Sequence, residues 1–160
     1  MKVAVIYHSK SGNTQKVAEI IGEGLKEVEN IEVKLMRIDE IDYEFVKESK
    51  AVIFGTSTYY ANISWQIKKW FDESWGCNLE GKIGAVFATE DYLGGGADTA
   101  LITLIGHMMV KGMLLYSGGS ALGQPYIHMG IVTIKDGDEN QKERAKIFGE
   151  RIGKKVSELF

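Results

Sequence analysis

Five apolar, β-branched runs alternate along this chain with segments of helical period, and that alternation constrains the fold more than any other feature. The runs are Val3–Tyr7, Ile31–Met36, Ala51–Gly55, Ile83–Ala88 and a last one divided between Met113–Tyr116 and Ile127–Ile134. Each is nearly continuous in apolar residues, which suits strands covered on both faces, as in a parallel sheet. Between them, Val17, Ile20, Ile21, Gly24, Leu25 and Val28 share one helix face. Ile63, Ile67, Trp70 and Phe71 repeat the pattern in the third crossover, and Leu101, Leu104, Ile105 and Met108 in the fourth. Ala145, Phe148, Ile152, Val156 and Leu159 close the chain with an amphipathic helix. The second crossover is the least marked, with Phe45 and Val46 supporting only a turn or two. Strands joined through helices make right-handed βαβ units, so the expected class is α/β, a doubly wound parallel sheet. With no repeat, low-complexity stretch or linker, residues 1–160 are expected to form one domain.

Several function classes fall away on composition. No apolar run approaches the ~20 residues of a membrane span. The start, Met1 to Tyr7, runs directly into a strand pattern without the length or cleavage site of a signal peptide, so a cytoplasmic protein is expected. The single cysteine, Cys77, reads as a small buried hydrophobe in a reducing compartment. His8, His107 and His128 stand far apart, and no metal-ligand spacing is present. A formal net charge of −3 with no basic stripe argues against nucleic acid.

In a doubly wound sheet the ligand lies outside the carboxyl ends of the strands, where the strand order reverses. Three loops leave those ends. The first, His8-Ser9-Lys10-Ser11-Gly12-Asn13-Thr14, carries three hydroxyls, an amide and a glycine at the start of a helix. The free N–H groups and positive dipole end of that helix suit a phosphate. Simple N-capping by Ser11 or Asn13 is the plainer alternative, and phosphate binding is the reading preferred. Neither a Walker pattern nor Gly-x-Gly-x-x-Gly is present, which demotes nucleotide hydrolysis and dinucleotide binding. The second loop, Thr56-Ser57-Thr58-Tyr59-Tyr60-Ala61-Asn62, puts two adjacent tyrosines where a flat heteroaromatic ring would stack, or where they would merely cover the sheet edge. The third, Thr89-Glu90-Asp91-Tyr92-Leu93-Gly94-Gly95-Gly96-Ala97-Asp98, allows backbone amides close to a ligand or forms a plain flexible turn.

These residues resemble a known family. Ser9-Lys10-Ser11-Gly12-Asn13-Thr14 after an N-terminal strand is similar to the FMN phosphate loop of flavodoxin-like proteins. Gly55 to Asn62, followed by a helix with Trp70-Phe71-Asp72, resembles their second FMN loop. Gly94-Gly95-Gly96 and Gly123-Gln124-Pro125-Tyr126 resemble the tryptophan-repressor-binding-protein type of NAD(P)H:quinone oxidoreductase. The resemblance runs from Met1 to the terminal helix. It implies a five-stranded sheet of order 2-1-3-4-5, the fifth strand interrupted by an insertion, and FMN as cofactor. It implies that Ser9, Lys10, Ser11, Gly12, Asn13 and Thr14 hold the phosphate. Thr58, Tyr59 and Tyr60 would line the isoalloxazine, with Thr56, Ser57, Ala61 and Asn62 completing that cofactor-binding loop, and Thr89, Glu90, Asp91, Tyr92, Leu93, Gly94 and Gly95 would close its other side. The chain departs from the quinone reductases at Ser57, where they usually show proline, and at Lys111, where they tend to carry histidine.

Two functions follow from the resemblance. Flavodoxin carriers are typically strongly acidic, which steers basic redox partners; a net charge of −3 and Lys10 in the phosphate loop supply little of that field. The expectation is therefore an FMN-dependent oxidoreductase that passes electrons from NAD(P)H to a quinone or similar acceptor. The alternative is a flavodoxin-type electron carrier serving a redox protein partner. A flavodoxin-shaped module that binds no flavin is a third class. No catalytic acid or base is assigned; Tyr59, Tyr60, Tyr92 and His128 are as readily structural. Trp65 lies about 200° around the helix from Ile67, opposite the core stripe, and marks an acceptor site or a homo-oligomer contact. Met108, Met109 and Met113 read as core filler.

Overall fold

The computed structural model describes all 160 residues. The strand runs become β1 (Lys2–Tyr7), β2 (Glu32–Arg37), β3 (Ser49–Ser57), β4 (Ile83–Glu90), β5 (Leu114–Leu115) and β6 (Ile131–Ile134). The helices are α1 (Asn13–Lys26), α2 (Tyr43–Glu48), α3 (Trp65–Glu73), α4 (Ala97–Val110) and α5 (Glu139–Leu159). The weakly marked second crossover is indeed short: α2 has six residues. All pairings in the sheet are parallel, in the order β2-β1-β3-β4-β5, with β6 also on β4.

The divided fifth run explains that last detail. β5 pairs with Ile83 and Gly84 at the start of β4, and β6 pairs with Phe87 through Glu90 at its end. Together they make one strand position with a long excursion between its halves. Arg151 of α5, 9% exposed, holds the excursion by donating to the carbonyl oxygens of Leu122, Gly123, Gln124 and Pro125. Arg144 donates to Tyr126 in the same way. The insertion is thus fastened to α5.

Helices cover both faces of the sheet, as the apolar runs require. On one face Ile6, Phe54 and Val86 pack against Phe45 of α2, Ile67, Trp70 and Phe71 of α3, and Leu101, Leu104 and Met108 of α4. On the other, Val3, Val5, Ile53 and Phe87 meet Val17, Ile21 and Leu25 of α1 and Phe148, Ile152 and Val156 of α5. Cys77, expected as a buried hydrophobe, is half-buried against the first core, and burial pushes its thiol above the usual value. Two expectations fail at helix surfaces. Met109 is exposed on the outer side of α4, because Met108 already occupies the inward position. Leu159 is exposed in the last turn of α5, beyond Val156, the last buried residue of that helix.

α1 and α5 touch backbone to backbone. A Cβ on Gly24 would stand 1.9 Å from the carbonyl oxygen of Lys146, and one on Gly149 2.1 Å from that of Ile21. Gly149→Ala is therefore expected to destabilise the fold by about 1–3 kcal/mol through overpacking. Urea unfolding checks this; an unchanged midpoint would mean that the two helices slide apart freely.

Candidate functional site

All three singled-out loops emerge at the carboxyl rim of the sheet. In the first, His8 and Ser9 are buried while Lys10 and Ser11 are exposed. The N-cap of α1 is Gly12, in the left-handed region at φ 94°, and no side chain caps the helix. Capping by Ser11 or Asn13 is therefore not what these residues do. The Gly12 N–H donates to the Ser9 hydroxyl at 3.1 Å, and the space where a Gly12 Cβ would stand is open. By contrast, Asp42 caps α2 and a full capping box of Asp138 and Gln141 closes α5. α4 also starts on a left-handed glycine without a cap, but its Gly96 is packed on Ala61 and Glu90 takes the Ala97 N–H, whereas α1 presents its first N–H groups beside an open Gly12, the arrangement that accepts an anion. Lys10 makes no ion pair there, and Lys16 on the first turn pairs with Asp136.

Hydroxyls tie the loops to one another. Thr14 Oγ1 lies 2.9 Å from Ser57 Oγ and 2.9 Å from Thr89 Oγ1, so one buried side chain bridges the first, second and third loops. The Thr58 N–H donates to the Thr89 carbonyl oxygen at 2.9 Å. Loops two and three also meet at Gly96, where an added Cβ would fall 2.4 Å from the Ala61 Cβ. The segments read separately from the sequence form one contiguous surface.

The second loop is a strained turn. Tyr59 and Asn62 exchange both backbone hydrogen bonds at 2.9 Å, leaving Tyr60 (φ 48°) and Ala61 (φ 56°) as two left-handed residues at its tip. Asn-Gly is the usual pair for such a turn, and side chains there cost roughly 1–3 kcal/mol each. The turn leaves Tyr60 fully exposed and Tyr59 partly so, beside exposed Trp65, while Tyr92 and Leu93 are exposed on the third loop. Asn62 takes the Ile63 N–H on its side chain. Thr56 is completely buried, its hydroxyl donating to the Ser57 carbonyl oxygen and accepting from the Ser64 N–H, so it builds the loop from within. The Thr58 hydroxyl is buried without a partner.

In the third loop Glu90 is also turned inward: Oε2 accepts the Ala97 N–H at 3.1 Å and so closes the start of α4. Asp91, Tyr92, Leu93 and Gly94 are exposed, and the Gly95 N–H returns to the Tyr92 carbonyl oxygen. Of the sequence-derived set, Thr14, Thr56, Thr89 and Glu90 therefore have side chains committed inside the protein, while the others lie on or just beneath the rim.

Trp65, outside that set, joins it in space. With Lys10, Tyr59, Tyr60, Asn62 and Gln66 it lines a cavity of about 540 Å³. Its phase on α3, opposite Ile67, was the signal. Lys111 is far from this role, since its ammonium reaches the carbonyl oxygens of Ser74 and Cys77. His128 lines a small cavity in the gap between β5 and β6 with Val86, Tyr116 and Met129. No three His, Cys, Asp or Glu side chains group as a metal site.

An open, uncapped helix start, an unpartnered buried hydroxyl at Thr58 and a fringe of tyrosines fit a planar guest carrying a phosphate. Two outcomes are expected from this geometry. Thr14→Val leaves the buried Thr89 hydroxyl without its partner and should cost about 1–3 kcal/mol of stability; wild-type resistance to urea in that variant would show that the loops hold together without it. Burial first, then the Arg37 guanidinium, keeps the His8 imidazole below its ordinary range, against the opposing pull of Asp39. Because the unfolded chain then binds the proton more readily than the folded one, stability is lost as pH falls through about 6.5. His8→Gln should flatten that part of a stability–pH profile, and an identical slope in the variant would exclude His8 as its source.

Comparison with known proteins agrees with the geometry. Residues 5–147 match the family described as Flavodoxin. A flavodoxin of Clostridium saccharobutylicum is 55% identical over 160 residues, spanning 100% of both chains. An NAD(P)H dehydrogenase (quinone) of Paraburkholderia phymatum is 28% identical, across 99% of this chain and 98% of its own. The solved structure of a flavodoxin from the domain Archaea superposes with a TM-score of 0.78 at 28% identity, covering 98% of this chain and 99% of that one. The strand order, the uncapped start of α1 and these matches agree, and the chain belongs to the flavodoxin family of FMN-binding proteins.

Proposed function

We propose that this chain is a flavodoxin-type electron carrier that presents its FMN to redox protein partners. The observation that carries the reading is the openness of the rim. Tyr60 is fully exposed, Tyr92 and Trp65 are each 68% exposed, and Leu93 is 86% exposed. A carrier needs an accessible redox edge with an apolar fringe for brief docking, whereas an enzyme of this kind needs a closed pocket for a second substrate. The full-length 55% match to a flavodoxin supports the same reading.

Bound FMN supplies the redox chemistry. The chain supplies the rest. N–H groups at the start of α1, with the Ser9 and Ser11 hydroxyls and Asn13, hold the phosphate, and Lys10 adds a positive charge beside it. Thr58 would offer a hydroxyl to the guest, and Tyr59 would stack on its ring. The Thr14 bridge fixes the spacing of these groups. No helix is long and apolar enough to cross a membrane, and the single free thiol suits a reducing compartment such as the cytoplasm.

Transfer of electrons from NAD(P)H to a quinone is the second reading. The cavity lined by Lys10, Tyr59, Tyr60 and Trp65 and the 28% identical quinone dehydrogenase favour it. Steady-state kinetics separate the two. For a carrier, NAD(P)H oxidation with added quinone stays at the rate given by free FMN, while the reduced protein rapidly reduces a one-electron acceptor protein. Saturable turnover with quinone, well above the free-cofactor rate, would replace the carrier reading by the oxidoreductase.

A further inference from the structure

Helix α4 is apolar on every side. From Thr99 to Val110 its only ionisable side chain is His107, whose ring packs on Phe71 with centroids 4.9 Å apart. One stripe, Ala97, Ala100, Leu101, Leu104 and Met108, is buried against the sheet. A second stripe, Ile102, Gly106, Met109 and Val110, follows the i, i+4, i+7, i+8 spacing and faces solvent, with Ile102 56%, Met109 63% and Val110 89% exposed. A helix without a polar face is ordinarily covered all round. Here half of the cover is missing. Across a groove of about 750 Å³ stands Trp75, just beyond α3, which is 89% exposed.

We propose that this face mates with the same face of a second copy of the chain, making a two-fold dimer. The patch holds both halves of such a contact. Trp75 and Val110 project from it, and the groove beside Gly106 recedes, with nothing within 4 Å of where a Gly106 Cβ would stand. A protrusion and a recess on one surface are what an isologous interface requires. Charge agrees. Lys68 is paired with Asp72 and Lys69 with Glu73, and the Lys111 ammonium is engaged by backbone oxygens. The exposed carboxylate at the groove, Asp72, is therefore neutralised, and the one remaining charge, the Lys111 ammonium, is held inward by carbonyl oxygens rather than presented to a partner. Trp75, Ile102, Met109 and Val110 expose on the order of 600 Å² per copy, so a pair would bury about 1,200 Å², the lower end for a stable interface. This pairing does not depend on the electron-carrier reading.

Sedimentation equilibrium of the flavin-loaded chain over the micromolar range tests it. The expected result is twice the mass of one chain, little changed by high salt. Val110→Glu and Ile102→Glu should each weaken association at least 100-fold while flavin absorbance and thermal midpoint stay at wild-type values. Ser157→Glu, on the exposed side of α5, should leave association unchanged. Val110→Ser, a milder change, should weaken association in the same direction if the glutamate disturbs α4. A wild-type chain that sediments as one copy at hundreds of micromolar would overturn the proposal and leave the face to a different partner. Undiminished pairing in the α4 variants would overturn it equally.

Discussion

A parallel ladder cannot be closed by tight turns. Each strand must be followed by a crossover long enough to carry the chain back, and in this protein every such crossover begins at the same rim. That requirement places Ser9–Thr14, Ser57–Asn62 and Thr89–Gly95 side by side, although they are far apart in the chain. It also demands cover on both faces of the sheet, which is why α1 and α5 lie backbone to backbone over one side and α2, α3 and α4 over the other.

On that scaffold, local stability and site geometry pull in different directions. α2 and α5 begin on aspartate side-chain caps, yet α1 opens on a glycine with no side chain on its first N–H groups. The second loop keeps Tyr60 and Ala61 in the left-handed region where Asn-Gly would be comfortable. Such departures persist where surrounding bonds over-determine them. The Thr14 bridge and the Ala61–Gly96 contact provide that reinforcement here. The site is a place where the protein forgoes local stability and the neighbouring loops compensate.

Net charge is a weak guide to the choice between carrier and enzyme. A value of −3 pointed towards an oxidoreductase, because a strongly acidic surface is the usual means of steering a basic partner. The rim carries an exposed apolar fringe of Tyr60, Trp65, Tyr92 and Leu93, which the carrier reading takes as another means of docking. The near-neutral surface bears on how fast a partner is found and on salt dependence, and leaves the redox role itself undetermined.

The sequence by itself determined the strand runs, the helix faces, the parallel class and the phosphate-loop pattern. These rest on periodicity and on residue types whose preferences are local: β-branched runs, apolar stripes, and Ser, Gly and Asn before a helix. It also marked Trp65 as facing away from the core. The directions of individual side chains within the loops were decided only by the tertiary structure. Thr56 and Glu90 sit among rim residues in the sequence, yet Ser64 and Ala97 supply N–H groups that draw them inward. Thr14 reads as another phosphate hydroxyl until Ser57 and Thr89 arrive beside it from 43 and 75 residues away. Met109 and Met108 are equivalent in composition, and only the placement of the sheet decides which is covered. Hydrogen-bond partners and buried neighbours come from distant parts of the chain, and no local pattern encodes which of them a side chain will meet.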